Sequence, residues 1–292
     1  MRGNPESHEL ISPGSLTGVL AQLSAEPGTW TPIAGGTELM VAHAAGRLNA
    51  SRLINLWGLP ELDFIRIGDN SIAIGGGVTF GRIRKNAAIA TEFPLLSKAA
   101  SWIGSIANQN RATIAGNIVN GSPAADAPPA LLVYDAEIEL ISKRGTRRIP
   151  YADFHLGYKR SVLQPDELVL ALHLPRRFAR NKQYLRKVGT RKAMAITKVA
   201  LAASAVIQNN VITEIRLAAA SVADRPVRLL ATEDALLGMP LSSETIRAAR
   251  TALLSEVLPI DDIRSTADYR KQVAANLLEE FLRELARGDA SA

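Results

Sequence analysis

The residues best suited to chemistry in this sequence are the paired glycines of Ala34-Gly35-Gly36-Thr37-Glu38-Leu39. They stand between a run that reads as a strand (Trp30-Thr31-Pro32-Ile33) and one that reads as a helix, Glu38 to Ala45. Glycine lets the backbone turn through conformations closed to other residues and leaves no side chain between the amides and a ligand. Thr37 is a suitable N-cap, and the first amides of the helix then point into the turn. A turn of this kind holds an anion, most often phosphate or pyrophosphate. An ordinary tight turn would use the same residues, so the motif gains meaning only in company.

A second unusual segment supplies that company. Arg111-Ala112-Thr113-Ile114-Ala115-Gly116-Asn117-Ile118-Val119-Asn120-Gly121-Ser122-Pro123-Ala124-Ala125-Asp126 is rich in Gly, Asn, Ser and Thr yet threaded with Ile and Val. A plain solvent loop has no need of those apolar residues, so the segment reads as polar backbone held inside a fold and facing a ligand. Gly75-Gly76-Gly77 marks another place where backbone approaches something closely.

The elements that position these loops are legible in outline. Residues 15–25 read as a helix; the strand Trp30 to Ile33, the helix Glu38 to Ala45 and a short strand at Ser51 to Leu56 then give a β-α-β order and a parallel pair with a covering helix. Phe64-Ile67 and Ser71-Gly75 flank a Gly-Asp-Asn hairpin signal. Thr79 begins a helical run, and Pro94 to Ala107 reads as a longer helix with Leu95, Leu96, Ala99, Trp102, Ile103 and Ile106 on one face. Pro128 to Tyr134 reads as a short helix, Ala136 to Ile149 as a hairpin and Glu167 to Leu174 as a strand. The last third changes character: Tyr184–Val188, Thr197–Ile207 and Val211–Val222 read as three antiparallel strands. Helices follow at Val227–Leu237, Ser243–Leu254 and Thr266–Ala286, with Ser242 and Ser265 as N-caps.

Composition narrows the classes of function. The chain has 292 residues, 47% of them hydrophobic, with net charge +6 and no cysteine. The length suits roughly two domains. Without cysteine there is no disulfide framework, no iron–sulfur cluster held by this chain and no thiol catalysis. His8, His43, His155 and His173 lie far apart, without zinc-site spacing. The basic residues form only small clusters and aromatic residues are 5%, too few for a nucleic-acid stacking platform. Arg191 and Lys192 begin a turn suited to facing a partner protein. The stretch Met1 to Gly14 is polar and unlike a secretory signal. No run approaches the ~18 apolar residues of a membrane span. The expectation is a soluble, cytoplasmic protein. Neither Gly-x-Gly-x-x-Gly nor a P-loop is present, and no nucleophile pattern accompanies the histidines.

Ala34 to Leu39, Thr113-Ile114-Ala115-Gly116-Asn117-Ile118, Ser122-Pro123-Ala124-Ala125-Asp126 and Lys187-Val188-Gly189-Thr190-Arg191, taken in order, resemble the FAD-binding medium subunits of the molybdenum hydroxylases, the xanthine dehydrogenase and CO dehydrogenase type. The resemblance runs from about Ile33 to Arg225. It implies an α+β chain with a two-lobed FAD-binding domain over residues 1–178 (lobes of about 1–58 and 59–178). A small α+β domain over 179–292 follows, a three-stranded antiparallel sheet with a helical bundle. It implies FAD on this chain, with the diphosphate held chiefly by backbone amides. Pro32, Ile33, Ala34, Gly35, Gly36, Thr37, Glu38 and Leu39 match the family's first pyrophosphate loop. Thr113, Ile114, Ala115, Gly116 and Asn117 match its second.

By the same resemblance Ser122 belongs to the cofactor-binding set, Asp126 falls near the sugar or ribityl hydroxyls, Ile103 near the adenine end, and Val169 and Lys187 near the isoalloxazine ring. The sequence departs from the family at Ala115, where a glycine is common, and at Glu38, where Asp is common. An alanine methyl at 115 is tolerable only with negative φ. From residue types alone, Asp126 could equally cap the following helix, Lys187 could be a solvated strand residue, and Val169 and Trp102 could be plain core. The resemblance implies no catalytic acid or base and no metal on this chain. It implies partners: a small subunit with [2Fe-2S] clusters and a large molybdopterin subunit, in a heterotrimer or dimer of heterotrimers. A stand-alone FAD oxidoreductase and a cofactor-less assembly module are the other readings.

Overall fold

The structure is a computed structural model that describes Asn4 and residues 7–191 and 193–289. Lys192 and most of the residues before Ser7 lie outside the described residues, so the reading of Lys192 as part of a partner-facing turn is not addressed.

The first lobe runs β1 (Glu9–Ile11), α1 (Leu16–Ala25), β2 (Thr31–Ile33), α2 (Leu39–Ala44) and β3 (Arg52–Asn55). Its three strands are parallel in the order β1-β3-β2. Ser15 starts α1 by accepting a hydrogen bond from the Gly18 amide. Leu16, Val19, Leu20 and Leu23 then fall on one face and pack with Trp30, Ile54 and Leu62. The covering helix is therefore α1 and not, as the β-α-β order suggested, the helix read from Glu38 to Ala45, because α2 buries none of its residues. Pro32 is tolerated because β2 is an edge strand.

The second lobe begins with β4 (Ile65–Ile67) and β5 (Ser71–Gly75), followed by α3 (Phe80–Lys85), α4 (Ala87–Glu92), α5 (Pro94–Trp102), α6 (Ile106–Gln109), α7 (Ile114–Val119) and α8 (Pro128–Val133). Then come β6 (Glu137–Ser142), β7 (Gly145–Pro150), β8 (His155–Gly157), β9 (Arg160–Ser161) and β10 (Leu168–Pro175). A five-stranded antiparallel sheet in the order β4-β5-β10-β6-β7 carries the helices on a core built on Ile72, Ile74, Phe80, Phe93 and Leu131.

Two expectations need correction here. The helix read over 94–107 stops at Trp102: Ile103 is extended and Gly104 has φ +50°, so Ile106 leaves the apolar face and is 63% exposed. A Ser105–Asn108 capping box then starts α6 afresh. The segment read as irregular backbone from 111 to 126 contains a helix, α7, because the Thr113 hydroxyl caps it by accepting from the Gly116 amide.

The last third contains β11 (Lys182–Val188), β12 (Val199–Gln208), β13 (Val211–Ala220), β14 (Val227–Arg228), α9 (Leu230–Asp234), α10 (Ser243–Glu256) and α11 (Ala267–Asp289). Its sheet has four antiparallel strands, not three, in the order β11-β12-β13-β14. Val227 and Arg228 pair with Ala219 and Ala218 instead of opening the helix read over 227–237. The cap of α11 is Thr266, whose hydroxyl accepts from the Tyr269 amide, since Ser265 is tied back to Asp262. Side chains alternate across this sheet. Leu201, Ala203, Leu217 and Ala219 join the core under α10 and α11, while Ala202 and Ala218 join the second-lobe core that contains Leu131 and Leu132 of α8. Alanines at this crossing let α8 lie close on the sheet. Among the described residues no helix is long and apolar enough to cross a membrane.

Asp135, just after α8 with φ +46°, accepts from Arg228 at 2.7 Å and Arg216 at 3.2 Å, and also from Arg177. Arg216 and Arg228 belong to β13 and β14, so one carboxylate ties the second lobe to the C-terminal sheet. Asp135→Ala removes the shared partner of three cations and puts a β-carbon residue without a polar side chain at positive φ. The expected loss is roughly 2–3 kcal/mol, seen as a melting temperature about 5 °C lower or more. An unchanged melting curve would contradict this role.

Candidate cofactor site

The first loop turns at Gly36, whose φ is +72° and whose carbonyl accepts from the Met40 amide at 2.9 Å. Thr37 is not the N-cap expected from sequence. The residue before α2 is Glu38, already in the right-handed region and without a side-chain cap bond. The left-handed glycine starts the helical turn itself and leaves the Thr37 hydroxyl no capping position. As a result the amides of Gly35, Gly36, Thr37, Glu38 and Leu39 donate to no protein group among the described residues. A consecutive run of unpaired amides on a glycine turn is a concave donor surface for anionic oxygens.

Gly35 presses against the start of the second loop. A Cβ at this position would lie 1.8 Å from the Arg111 carbonyl oxygen, so no other residue fits without moving backbone. The Arg111 guanidinium stacks on the Trp57 ring at 3.9 Å, with its Nε 3.5 Å from the Gly35 carbonyl. Contact between backbones thus joins the two candidate loops.

The second loop differs from the first in its amides. Ile114 donates to the Val78 carbonyl at 2.9 Å, Ala115 to Gly76 at 3.1 Å, Gly116 to the Thr113 hydroxyl at 3.1 Å and Asn117 to Thr113 at 3.0 Å. These four amides are already occupied, which leaves the Thr113 amide as the backbone donor of this loop without a protein partner among the described residues. The second loop also offers the Asn117 side chain, whose Oδ1 is buried without a partner. Ala115 lies within α7 and is not among the residues with positive φ, so its methyl is accommodated as required. Gly76 explains why backbone comes so close here: a Cβ on it would be 2.3 Å from the Val169 carbonyl and 3.1 Å from the Ala115 methyl. Val169 sits in the β10 bulge, buried in the core and next to the loop through Gly76.

Asp126 and Lys187 meet. Lys187 Nζ donates to Asp126 Oδ2 at 2.7 Å, with both side chains about nine-tenths buried. Thr197 donates its hydroxyl proton to Asp126 Oδ1 at 2.6 Å. Burial raises the Asp126 carboxyl above the ordinary aspartate value, and Lys187 and Thr197 pull it back only in part. The bland readings of these residues fall away. The N-cap of α8 is Ala127 without a side-chain bond, so Asp126 is not a helix cap, and Lys187 is not solvated.

A cleft of about 120 Å³ lies beside this pair, lined by Trp102, Lys187, Gly189, Arg191 and Met194. Trp102 packs on the second-lobe core and also lines this cleft. Arg191 is folded into its own turn and donates to the Met194 carbonyl at 2.7 Å. Ile103 adjoins Trp102, half-buried against the second-lobe core. Ser122 closes a local turn, its hydroxyl accepting from Ala124 and its carbonyl from Ala125. Sequence reasoning missed Thr197, which carries no motif, and did not single out Gly76 within its triplet.

Two family profiles cover nearly all of the chain. The one described as the FAD binding domain in molybdopterin dehydrogenase matches residues 6–177, and the CO dehydrogenase flavoprotein C-terminal domain matches 184–285. The chain belongs to the FAD-binding medium-subunit family of the molybdenum hydroxylases and is an oxidoreductase subunit. It is 30% identical over 257 residues to the xanthine dehydrogenase FAD-binding subunit of Escherichia coli O157:H7, covering 86% of this chain and 87% of that one. The carbon monoxide dehydrogenase structure from Hydrogenophaga pseudoflava superposes with a TM-score of 0.90 at 27% identity, over 95% of this chain and 96% of that chain. The quinoline 2-oxidoreductase structure from Pseudomonas putida 86 shares the fold, with a TM-score of 0.90 at 23% identity, over 99% of each chain.

The residues present fit FAD: unpaired amides for its diphosphate, an orphaned buried oxygen on Asn117, and a carboxylate with lone pairs to spare. Gly35→Ala should weaken FAD binding about tenfold to a hundredfold by pushing the loops apart, measured by titrating stripped protein with FAD. Wild-type affinity would contradict the contact.

Lys187→Met leaves the Asp126 carboxyl buried without its cation, so its pKa rises further. Between the ordinary aspartate value and that raised value the folded state then holds a proton that the unfolded state has lost, and stability falls as pH rises. The variant should lose about 3 kcal/mol at pH 8 and clearly less at pH 5, measured by urea unfolding. A loss independent of pH would count against it.

Proposed function

We propose that this chain is the electron-transfer subunit of a molybdopterin-dependent hydroxylase. It would receive electrons from [2Fe-2S] clusters on a small partner subunit and pass them, by way of FAD, to NAD+ or another acceptor. A xanthine dehydrogenase-like complex is preferred, in keeping with the similarity to the Escherichia coli subunit of that name. The observation that carries the reading is the run of unpaired amides from Gly35 to Leu39, held against the second loop by a contact only glycine permits. FAD bound there would supply the exchange between single electrons and electron pairs that such a relay needs.

The chain's own residues bind and orient. Pro32, Ile33 and Ala34 lead β2 into the turn, and the amides of Gly35, Gly36, Thr37, Glu38 and Leu39 take the diphosphate. Thr113, Ile114, Ala115 and Gly116 form the opposing wall, and the orphaned oxygen of Asn117 accepts a hydrogen bond from a cofactor hydroxyl. Ser122 and Asp126 serve the sugar or ribityl hydroxyls, Ile103 the adenine end, and Val169 and Lys187 the ring. Residues 1–178 would form the cofactor-binding domain, in lobes of about 1–58 and 59–178, and 179–292 the C-terminal domain.

The clusters must sit elsewhere, since the chain has no cysteine to ligate them. The relatives include a glyceraldehyde dehydrogenase medium chain and a nicotinate dehydrogenase FAD-subunit, so one scaffold serves several substrates. This suits a substrate pocket on a large molybdopterin subunit, with a heterotrimer or dimer of heterotrimers as the cytoplasmic assembly.

The test is a visible spectrum of the purified protein, with the chromophore and copurifying chains identified by mass. About one FAD per chain, with an iron–sulfur and a molybdopterin polypeptide, is the expected result. A flavin-loaded chain that turns over alone would favour a stand-alone oxidoreductase, and a colourless chain that refuses FAD would overturn the assignment.

A further inference from the structure

We infer that Thr197 is a positioning residue of the cofactor site, held in place by Ser221 and acting through Asp126. The inference rests on the proposed role of Asp126 toward the cofactor hydroxyls. Thr197 is fully buried and stands just before β12, on the C-terminal side of the molecule. Its hydroxyl donates to Asp126 Oδ1 at 2.6 Å while Lys187 occupies Oδ2 at 2.7 Å. An ionised carboxylate has about four lone-pair directions, so each oxygen keeps one for a ligand hydroxyl. With one oxygen on Thr197 and the other on Lys187, the carboxylate plane cannot rotate.

Thr197 is itself fixed. Its carbonyl accepts from Ser221 Oγ at 2.9 Å. The Ser221 amide donates to the Pro123 carbonyl at 2.8 Å, three residues before Asp126. Arg270, on α11, donates to the Ser221 carbonyl at 3.3 Å and to that of Lys198 at 3.0 Å. Ser221 is held at φ +63°, a conformation glycine adopts without strain. A serine kept there points to a need for its hydroxyl, and that hydroxyl is spent on Thr197. The turn that carries Asp126 is thus gripped from the C-terminal sheet at its peptide carbonyl and at its carboxylate.

The test compares Thr197→Val, Thr197→Ser, Ser221→Gly and Asp126→Asn in the protein as purified, with any partner subunits it retains. FAD is stripped, and the dissociation constant for re-added FAD and the visible spectrum of the bound flavin are recorded. Thr197→Val should weaken binding about tenfold and alter the spectrum, and Thr197→Ser should restore both. Ser221→Gly relieves backbone strain but gives up one buried hydrogen bond, effects of similar size, so its melting temperature should stay close to wild type while FAD binding weakens several-fold. A merely structural serine would give no loss there, and this variant decides the matter if Thr197→Val does not fold. Wild-type affinity in Thr197→Val or Ser221→Gly, with Asp126→Asn weakened, overturns the inference and leaves the Asp126 reading standing. Wild-type affinity in Asp126→Asn removes that reading, and the inference with it.

Discussion

The approach of the Gly35 backbone to the Arg111 carbonyl sets the geometry on which the rest depends. Nothing bulkier than hydrogen fits on the Gly35 α-carbon, so the two lobes meet peptide against peptide and not through side chains that could shift. The contact fixes where the unpaired amides of the first loop point relative to α7. It also constrains sequence in both directions: the turn after β2 must carry a glycine at 35, and the chain around Arg111 must hold that carbonyl still. The Asn108 carbonyl does the latter, accepting from the Arg111 and Ala112 amides, and the Phe80 amide donates to the Ala112 carbonyl.

The two loops look alike in composition but do different work. In the first, a left-handed glycine starts the turn and leaves its neighbours' amides unpaired. In the second, the hydroxyl and carbonyl of Thr113 and the carbonyls of Gly76 and Val78 use up the amides from Ile114 to Asn117, so what remains is rigid wall, the Thr113 amide and one orphaned side-chain oxygen. The site is one donor surface facing a braced counterpart. The C-terminal sheet completes the bracing, because two acids of the second lobe, Asp126 and Asp135, are both held by groups from that sheet and its borders.

Local rules explain what could be read from sequence. Glycine pairs, threonine and serine caps, and apolar spacing act within a few residues, and they located both loops, most helices and the long strands. What escaped reading is set at a distance. Glu9–Ile11 and Val227–Arg228 are strands only because a partner edge is waiting for them. The apolar spacing over 94–107 runs on through a break that Gly104 makes by its backbone. Thr197 gains its role from a carboxylate 71 residues away. Asp126 and Lys187 were both singled out, but their pairing with each other was not legible, since nothing in a sequence says which of two charges faces a ligand and which faces its neighbour.

Hydrogen exchange of the protein with and without FAD, resolved at single amides, tests the central claim most directly. On this account FAD slows exchange strongly from Gly35 to Leu39, whose amides have no acceptor among the described residues, and changes Ile114 to Asn117 little, since those are already bonded. Protection confined to Ile114 to Asn117, or none at either loop with FAD bound, would contradict it.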